Sequence, residues 1–132
     1  MNERIEEELK LLRHSYSEVE YVDAGQWVKI KDYPTPPGLP WNRQTTDVCF
    51  QIPSGYPGTP PYGFYVAAGI LYNGNPPDSY REPAQNSPPF QGVWGFFSWS
   101  IDSNWLPKAD PRAGFNLLNF VRTFKDRFKG GR

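Results

Sequence analysis

Ile5, Leu9 and Leu12, with Leu11 beside them, form an apolar stripe at i, i+4, i+7, and charged residues fill most of the positions between. The pattern predicts an amphipathic helix over residues 3–14, capped by Asn2, with Glu3, Glu6 and Glu7 near its positive end. The period then changes to two. Val19 and Tyr21 alternate with Glu18 and Glu20, and Val28 and Ile30 alternate with Lys29 and Lys31. This predicts a hairpin over residues 17–33 that turns near Asp23-Ala24-Gly25. Each strand has one apolar and one charged face, which fits an antiparallel sheet covered on one side. Trp27 is out of phase with Val28 and Ile30, and its expected place is the sheet margin or solvent.

Four prolines and Gly38 within residues 34–43 stop regular pairing. A strand over residues 45–52 resumes it, with Thr46, Val48, Phe50 and Ile52 on one face and Thr45, Asp47, Cys49 and Gln51 on the other. A proline-fixed turn over residues 53–61 leads to a fourth strand over residues 63–70. There Phe64, Val66 and Ala68 share one phase, and Tyr65 and Ala67 the other. Residues 72–92, with Pro76, Pro77, Pro83, Pro88 and Pro89, read as a long irregular connection, of a length that usually accompanies function or mobility. Residues 93–101 are aromatic and apolar, and periodicity leaves a short strand and a packed irregular segment both open.

Asp110 as cap and Pro111 in the first turn then predict one C-terminal helix, with Gly114 early in it and Gly130-Gly131 at its end. Its stripe runs through Leu117, Val121, Phe124 and Phe128. The whole order predicts a single α+β domain over residues 1–132: an N-terminal helix, a four-stranded antiparallel sheet and a C-terminal helix.

Composition narrows the function. The 132 residues suit one domain, and 38% apolar with 17% aromatic content argues against overall disorder. A net charge of zero argues against nucleic acid or an anionic membrane as partner. The basic run Lys125, Arg127, Lys129 and Arg132 falls where a helix end favours cations. No apolar stretch approaches the ~20 residues of a membrane span. The charged, acidic N-terminus is unlike a signal peptide, so a cytoplasmic protein is expected. One cysteine excludes an intrachain disulfide, and one cysteine with one histidine, His14, cannot supply a structural zinc set. No phosphate-loop or dinucleotide glycine pattern occurs, and no cofactor is expected. Asp32, Asp78, Glu82, Asp102 and Asp110 form no recognisable acid–base pair.

Within this element order, Tyr56-Pro57-Gly58-Thr59-Pro60-Pro61 resembles the Tyr-Pro-x-x-Pro-Pro turn that ends the third strand of the ubiquitin-conjugating (E2/UEV-like) superfamily. Tyr56, Pro57 and Pro61 also satisfy the related turn of RWD domains. The segment from Trp94 to Ser100, followed by Trp105, Asp110 and Leu117-Leu118-Asn119-Phe120-Val121, resembles the bacterial E2-like family E. Relatives of that group occur in operons encoding ubiquitin-like proteins, an E1-like adenylating enzyme and a JAB-type isopeptidase. The resemblance implies a UBC/RWD-like fold. It also implies a His-Pro-Asn segment and a thioester cysteine downstream of the proline turn. Here that stretch holds Asn73-Gly74-Asn75-Pro76-Pro77, and neither cysteine nor histidine follows Gln51. Asn75-Pro76 is a faint echo of the missing motif.

The lone thiol, Cys49, precedes the turn. It is opposite in phase to Val48 and Phe50, and so faces solvent or a partly helix-covered side. Asp47 beside it would raise its pKa, which opposes thiolate formation. The reading of Cys49 is therefore structural, with a weak alternative as nucleophile. Ser79, Ser87 and Ser98 are available hydroxyls without visible activating partners. Tyr56, Pro57, Pro60 and Pro61 read as a structural turn: the prolines restrict the unfolded chain, and the tyrosine ring packs while its hydroxyl finds a backbone acceptor. Trp94, Phe97, Trp99 and Trp105 are partner-binding candidates, because aromatic anchors supply much interface energy; buried packing is their other reading. The charged face of the first helix, Glu3, Arg4, Glu7 and Lys10, reads as solvated, while the resemblance implies E1 docking there.

Taken together, the resemblance implies a catalytically inactive E2-like adaptor. It would bind a ubiquitin-like protein or an E1-like enzyme noncovalently within a bacterial ubiquitin-like modification system. Two alternatives stay open: a divergent conjugating enzyme using Cys49 or a hydroxyl, and an RWD-like structural interaction domain. Gly130-Gly131 is an ordinary helix stop or, in a remoter reading, a conjugatable tail.

Overall fold

The computed structural model describes residues 2–101 and 105–132. The first helix, α1, spans Glu3–Ser15, and the Asn2 side chain accepts from the Ile5 amide at 2.8 Å, which satisfies one of the open N–H groups of its first turn. Ile5, Leu9 and Leu12 are buried against the sheet as their spacing predicts.

The strands are β1 (Val19–Val22), β2 (Trp27–Pro34), β3 (Thr45–Gln51), β4 (Tyr62–Ala67), β5 (Tyr80–Arg81) and β6 (Trp94–Ser100). They form one antiparallel sheet in the order β1-β2-β3-β4-β6-β5. Among the described residues the sheet thus has six strands where four were expected. The reason is nonlocal. The open edge of β4 is filled by β6, with Val66 opposite Gly95 and Phe64 opposite Phe97, and the two residues of β5 then pair with Phe96 and Phe97. The irregular connection over residues 72–92 therefore contains a strand, and a Tyr72–Asn75 bridge as well. Its prolines lie between these short pairings, where no ladder amide is needed.

A bulge in β2 explains how Ile30 and Tyr33, three apart, share the core face. Asp32 turns with φ 57°, its amide donating to Asp47 Oδ1 at 3.0 Å, and this extra residue resets the phase. On that face Val28, Ile30, Tyr33, Val48, Phe50, Phe64, Val66 and Phe97 meet the helices.

The opposite face is not left bare. Trp27, Cys49, Tyr65, Phe90 and Trp94 form a second buried cluster there. The sheet is thus covered on both sides at its centre, because Phe90 and its neighbours in the proline-rich connection fold over it. Trp27 finds its place here, with its ring centroid 5.4 Å from that of Tyr65.

The C-terminal stripe is buried as predicted, but it is carried by two short helices, α2 (Leu117–Arg122) and α3 (Phe124–Lys129). Asn116, not Asp110, caps α2: its side chain accepts from the Asn119 amide, and Asn119 answers by accepting from the Asn116 amide. Asp110 instead closes a turn by accepting from the Arg112 amide at 3.0 Å. The helix does not begin at Pro111, because the Phe115 amide donates to Leu106 O and draws the chain away. Gly114 lies at this crossing, where a Cβ would sit 2.7 Å from Leu106 O and 2.8 Å from Lys108 N. Its role is close approach between backbones rather than tolerance within a helix. The break at Thr123 coincides with a side-chain tie: Thr123 Oγ1 donates to Phe120 O and accepts from Trp99 Nε1.

Candidate functional site

The proline turn is anchored by a residue that sequence reasoning passed over. Tyr56 is buried, and its hydroxyl donates to Glu8 Oε1 at 2.5 Å rather than to a backbone carbonyl. The same oxygen accepts from the Leu117 amide at 2.6 Å, and Oε2 accepts from Arg4 Nε at 2.8 Å. One fully buried carboxylate therefore joins α1, the turn and the start of α2. Burial pushes the Tyr56 hydroxyl far above its ordinary pKa, and the Glu8 carboxylate beside it adds to the effect. The sequence signal for Glu8 was slight: Ile5, Glu8 and Leu12 share i, i+3, i+7 spacing, so a charged residue sits on the inward stripe.

Around this joint, Pro61 is buried while Pro57 and Pro60 are half-buried. The Tyr56–Pro57 bond is cis. Trp105 belongs to the turn: its Nε1 donates to Pro57 O at 2.8 Å, and its ring centroid lies 5.7 Å from that of Tyr56.

The four aromatic candidates do not form one patch. Trp94 and Phe97 stand on opposite faces of β6, Trp94 in the second cluster and Phe97 in the main core. Trp99 is on the Phe97 side and half-buried, held by Thr123. Trp105 is half-buried against Tyr56 and Phe115. The alternation of a strand separates what adjacency in sequence suggested was a cluster.

Cys49 faces neither solvent nor a helix. It pairs across the sheet with Lys29 and Tyr65 and is 0% exposed, enclosed by Trp27, Tyr65, Phe90 and Trp94. Burial pushes its thiol far above the ordinary range; Lys29 opposes this and Asp47 reinforces it. The sulfur packs among these four aromatic rings.

The chain after β4 is tied down by polar contacts. Arg43 donates to Ala67 O at 2.6 Å and also to Ala68 O. Glu82 Oε1 accepts from the Gly69 amide at 2.7 Å and from the Tyr80 hydroxyl at 2.6 Å, and the amide bond holds the carboxyl below its usual pKa. Asn75 is exposed within a tight turn, its side chain donating to Asn73 O. Ser79, Ser87 and Ser98 are exposed, and so is His14 at the end of α1.

The tail is folded in. Arg127 donates to Gly131 O at 2.8 Å and to Asp78 O at 2.6 Å, with its guanidinium 4.5 Å from the Phe97 ring centroid. The Asp78 amide donates to Arg132 O, and Gly131 is buried against Tyr72, so the glycine pair is held rather than extended. Asp102 lies outside the described residues. Among the described residues, no three His, Cys, Asp or Glu side chains converge on a metal-sized site, and no helix is long and apolar enough to cross a membrane.

Comparison with curated proteins and with solved structures returned no match. A family model for prokaryotic E2 family E matches residues 4–118. The match takes in nearly all of α1, all six strands, the Tyr56 turn and the first two residues of α2, and so contains the whole joint around Glu8. This chain belongs to prokaryotic E2 family E.

Proposed function

We propose that this protein acts by noncovalent recognition: it binds a ubiquitin-like protein or an E1-like enzyme in a bacterial ubiquitin-like modification system and carries no acyl group on sulfur. The observation that carries this reading is the enclosure of Cys49. A thiol of ordinary pKa is a few per cent thiolate at neutral pH, and each unit of upward shift removes roughly nine-tenths of what remains. A buried neutral thiol within a sheet therefore offers neither the nucleophile nor the access that a thioester needs. Family membership supports a place among E2-like proteins, whose partners as a group include ubiquitin-like and E1-like proteins.

Trp99 and Trp105 keep part of their surface open, and this reading assigns them to partner contact. Trp94 and Phe97 support the strand that presents Trp99, and the Tyr56 turn holds Trp105. The expected setting is the cytoplasm.

The test is a charging reaction with the E1-like enzyme, the ubiquitin-like protein and ATP, read by intact mass with and without reductant, beside calorimetric titration of each partner. Saturable binding without a thiol-linked adduct is expected. A reductant-sensitive adduct that disappears in Cys49→Ser would overturn the proposal, and so would the lack of binding to both partners.

A further inference from the structure

The neutral total conceals a separation of charge. From Trp105 onward the segment carries exposed Lys108, Arg112, Arg122, Lys125, Lys129 and Arg132 against two carboxylates of its own, Asp110 and Asp126, while Glu7 and Asp78 reach Arg112 and Arg132 from outside it. A groove of about 610 Å³ opens between α1 and the chain leading into α2. Its apolar lining includes Leu11, Leu106 and Leu118, and its charged lining is Lys108, Arg112 and Arg122, with no carboxylate among the described lining residues. Leu106 is 63% exposed and, with Leu11 and Leu118, gives the groove an apolar side.

The cations are largely unspent. Lys108 and Arg122 make no side-chain hydrogen bond or ion pair among the described residues, and Arg112 meets Glu7 only at 3.8 Å, with both groups well exposed. Lys108 and Arg122, free of a carboxylate beside the Arg112–Glu7 pair, repel a basic partner and favour an acidic one, while the leucines add a demand for apolar side chains. A nucleic acid would meet the cations but leave the leucines unmatched. A membrane would meet both only if the apolar residues stood on a convex rim, and here they line a hollow.

We propose that this groove docks an acidic peptide segment of a partner protein, one that intersperses Asp or Glu with Leu or Phe. The inference goes beyond the proposed function and does not depend on it, because the probe is a peptide and not a pathway protein.

The probe is a fluorescein-labelled peptide in which Asp and Glu alternate with Leu and Phe, titrated with the full chain by fluorescence polarisation. Saturable binding that weakens with salt is expected. The double charge reversal Lys108→Glu/Arg122→Glu and, separately, Leu106→Ser should each weaken it ~10-fold. The reversal Lys31→Glu/Arg81→Glu, which changes net charge equally but lies on the sheet, should leave it within ~2-fold. Circular dichroism checks that every variant is folded.

Failure of the peptide to bind would overturn the proposal. So would equal binding of a peptide with Ser in place of Leu and Phe, or equal loss in the sheet variant. Tighter binding of oligo-dT or of phosphatidylglycerol vesicles, lost in the same groove variants, would reassign the groove to a polyanion and also refute it. If the peptide result fails while calorimetry still shows a pathway partner bound, the proposed function stands and only the groove assignment falls.

Discussion

Tyr56→Phe removes one atom from the joint between α1, the proline turn and α2, and its consequence can be worked from the contacts. The ring stays packed beside Trp105, so little apolar burial is lost. What is lost is a buried 2.5 Å hydrogen bond to the Glu8 carboxylate, and bonds to charged groups contribute about 1.5–3 kcal/mol. The carboxylate keeps Arg4 and the Leu117 amide, so it is not orphaned. Glu8→Ala is harsher. It strands the Tyr56 hydroxyl and the Leu117 amide and leaves the Arg4 guanidinium with only its bond to Lys108 O, for a cost of about 3–5 kcal/mol.

For a chain of 132 residues, 1 kcal/mol moves Tm by about 4 °C, so Tyr56→Phe should lower it by roughly 6–12 °C. Urea unfolding followed by tryptophan fluorescence, with Trp105 as a near reporter, measures the same loss. Once Glu8 is alanine the hydroxyl has lost its acceptor, so adding Tyr56→Phe should cost little. The two substitutions should therefore couple by about 1–3 kcal/mol in a double-mutant cycle. A single-variant loss below about 0.5 kcal/mol, or strict additivity, would refute the claim that this bond joins the three elements.

Cys49 should resist iodoacetamide in the folded protein and react once urea unfolds it; rapid stoichiometric labelling without denaturant would contradict its enclosure. Arg127→Met should free the tail, costing about 2 kcal/mol and speeding hydrogen exchange at the Asp78 amide by at least ~10-fold; unchanged exchange there would show that the arginine does not hold it. Gly114→Ala forces a methyl against two backbone atoms and should lose about 1–3 kcal/mol in urea unfolding. Burial holds the Tyr33 and Tyr56 hydroxyls protonated well above pH 10, so their folded pKa values exceed the unfolded ones. The stability this contributes is complete below about pH 10 and is lost as pH rises further; the urea midpoint should fall there, with tyrosinate absorbance appearing on unfolding.

The local half of the fold was legible in the residue pattern. The stripe of α1 and its Asn2 cap, the facing of Val28, Ile30, Val48, Phe50, Phe64 and Val66, and the buried C-terminal stripe all follow from periods of 3.6 and 2, which a short window reveals. The proline turn was legible too, because its conformation is set largely by the residues within it. The partner of Tyr56 was not, since Glu8 lies 48 residues away and looks like one more charge on a charged helix.

The sequence by itself thus determined the first helix and the first four strands, which of their faces are apolar, the apolar stripe of the C-terminal segment, and that a lone thiol precedes the turn. Tertiary structure alone decided that β6 and β5 extend the sheet, that Phe90 and Trp94 close over Cys49, and that Glu8 is drawn inside. Each of these depends on chain segments meeting across long separations. Such pairings are selected by the global packing of surfaces and by the partners left for buried polar groups, neither of which is written in the period of any one segment.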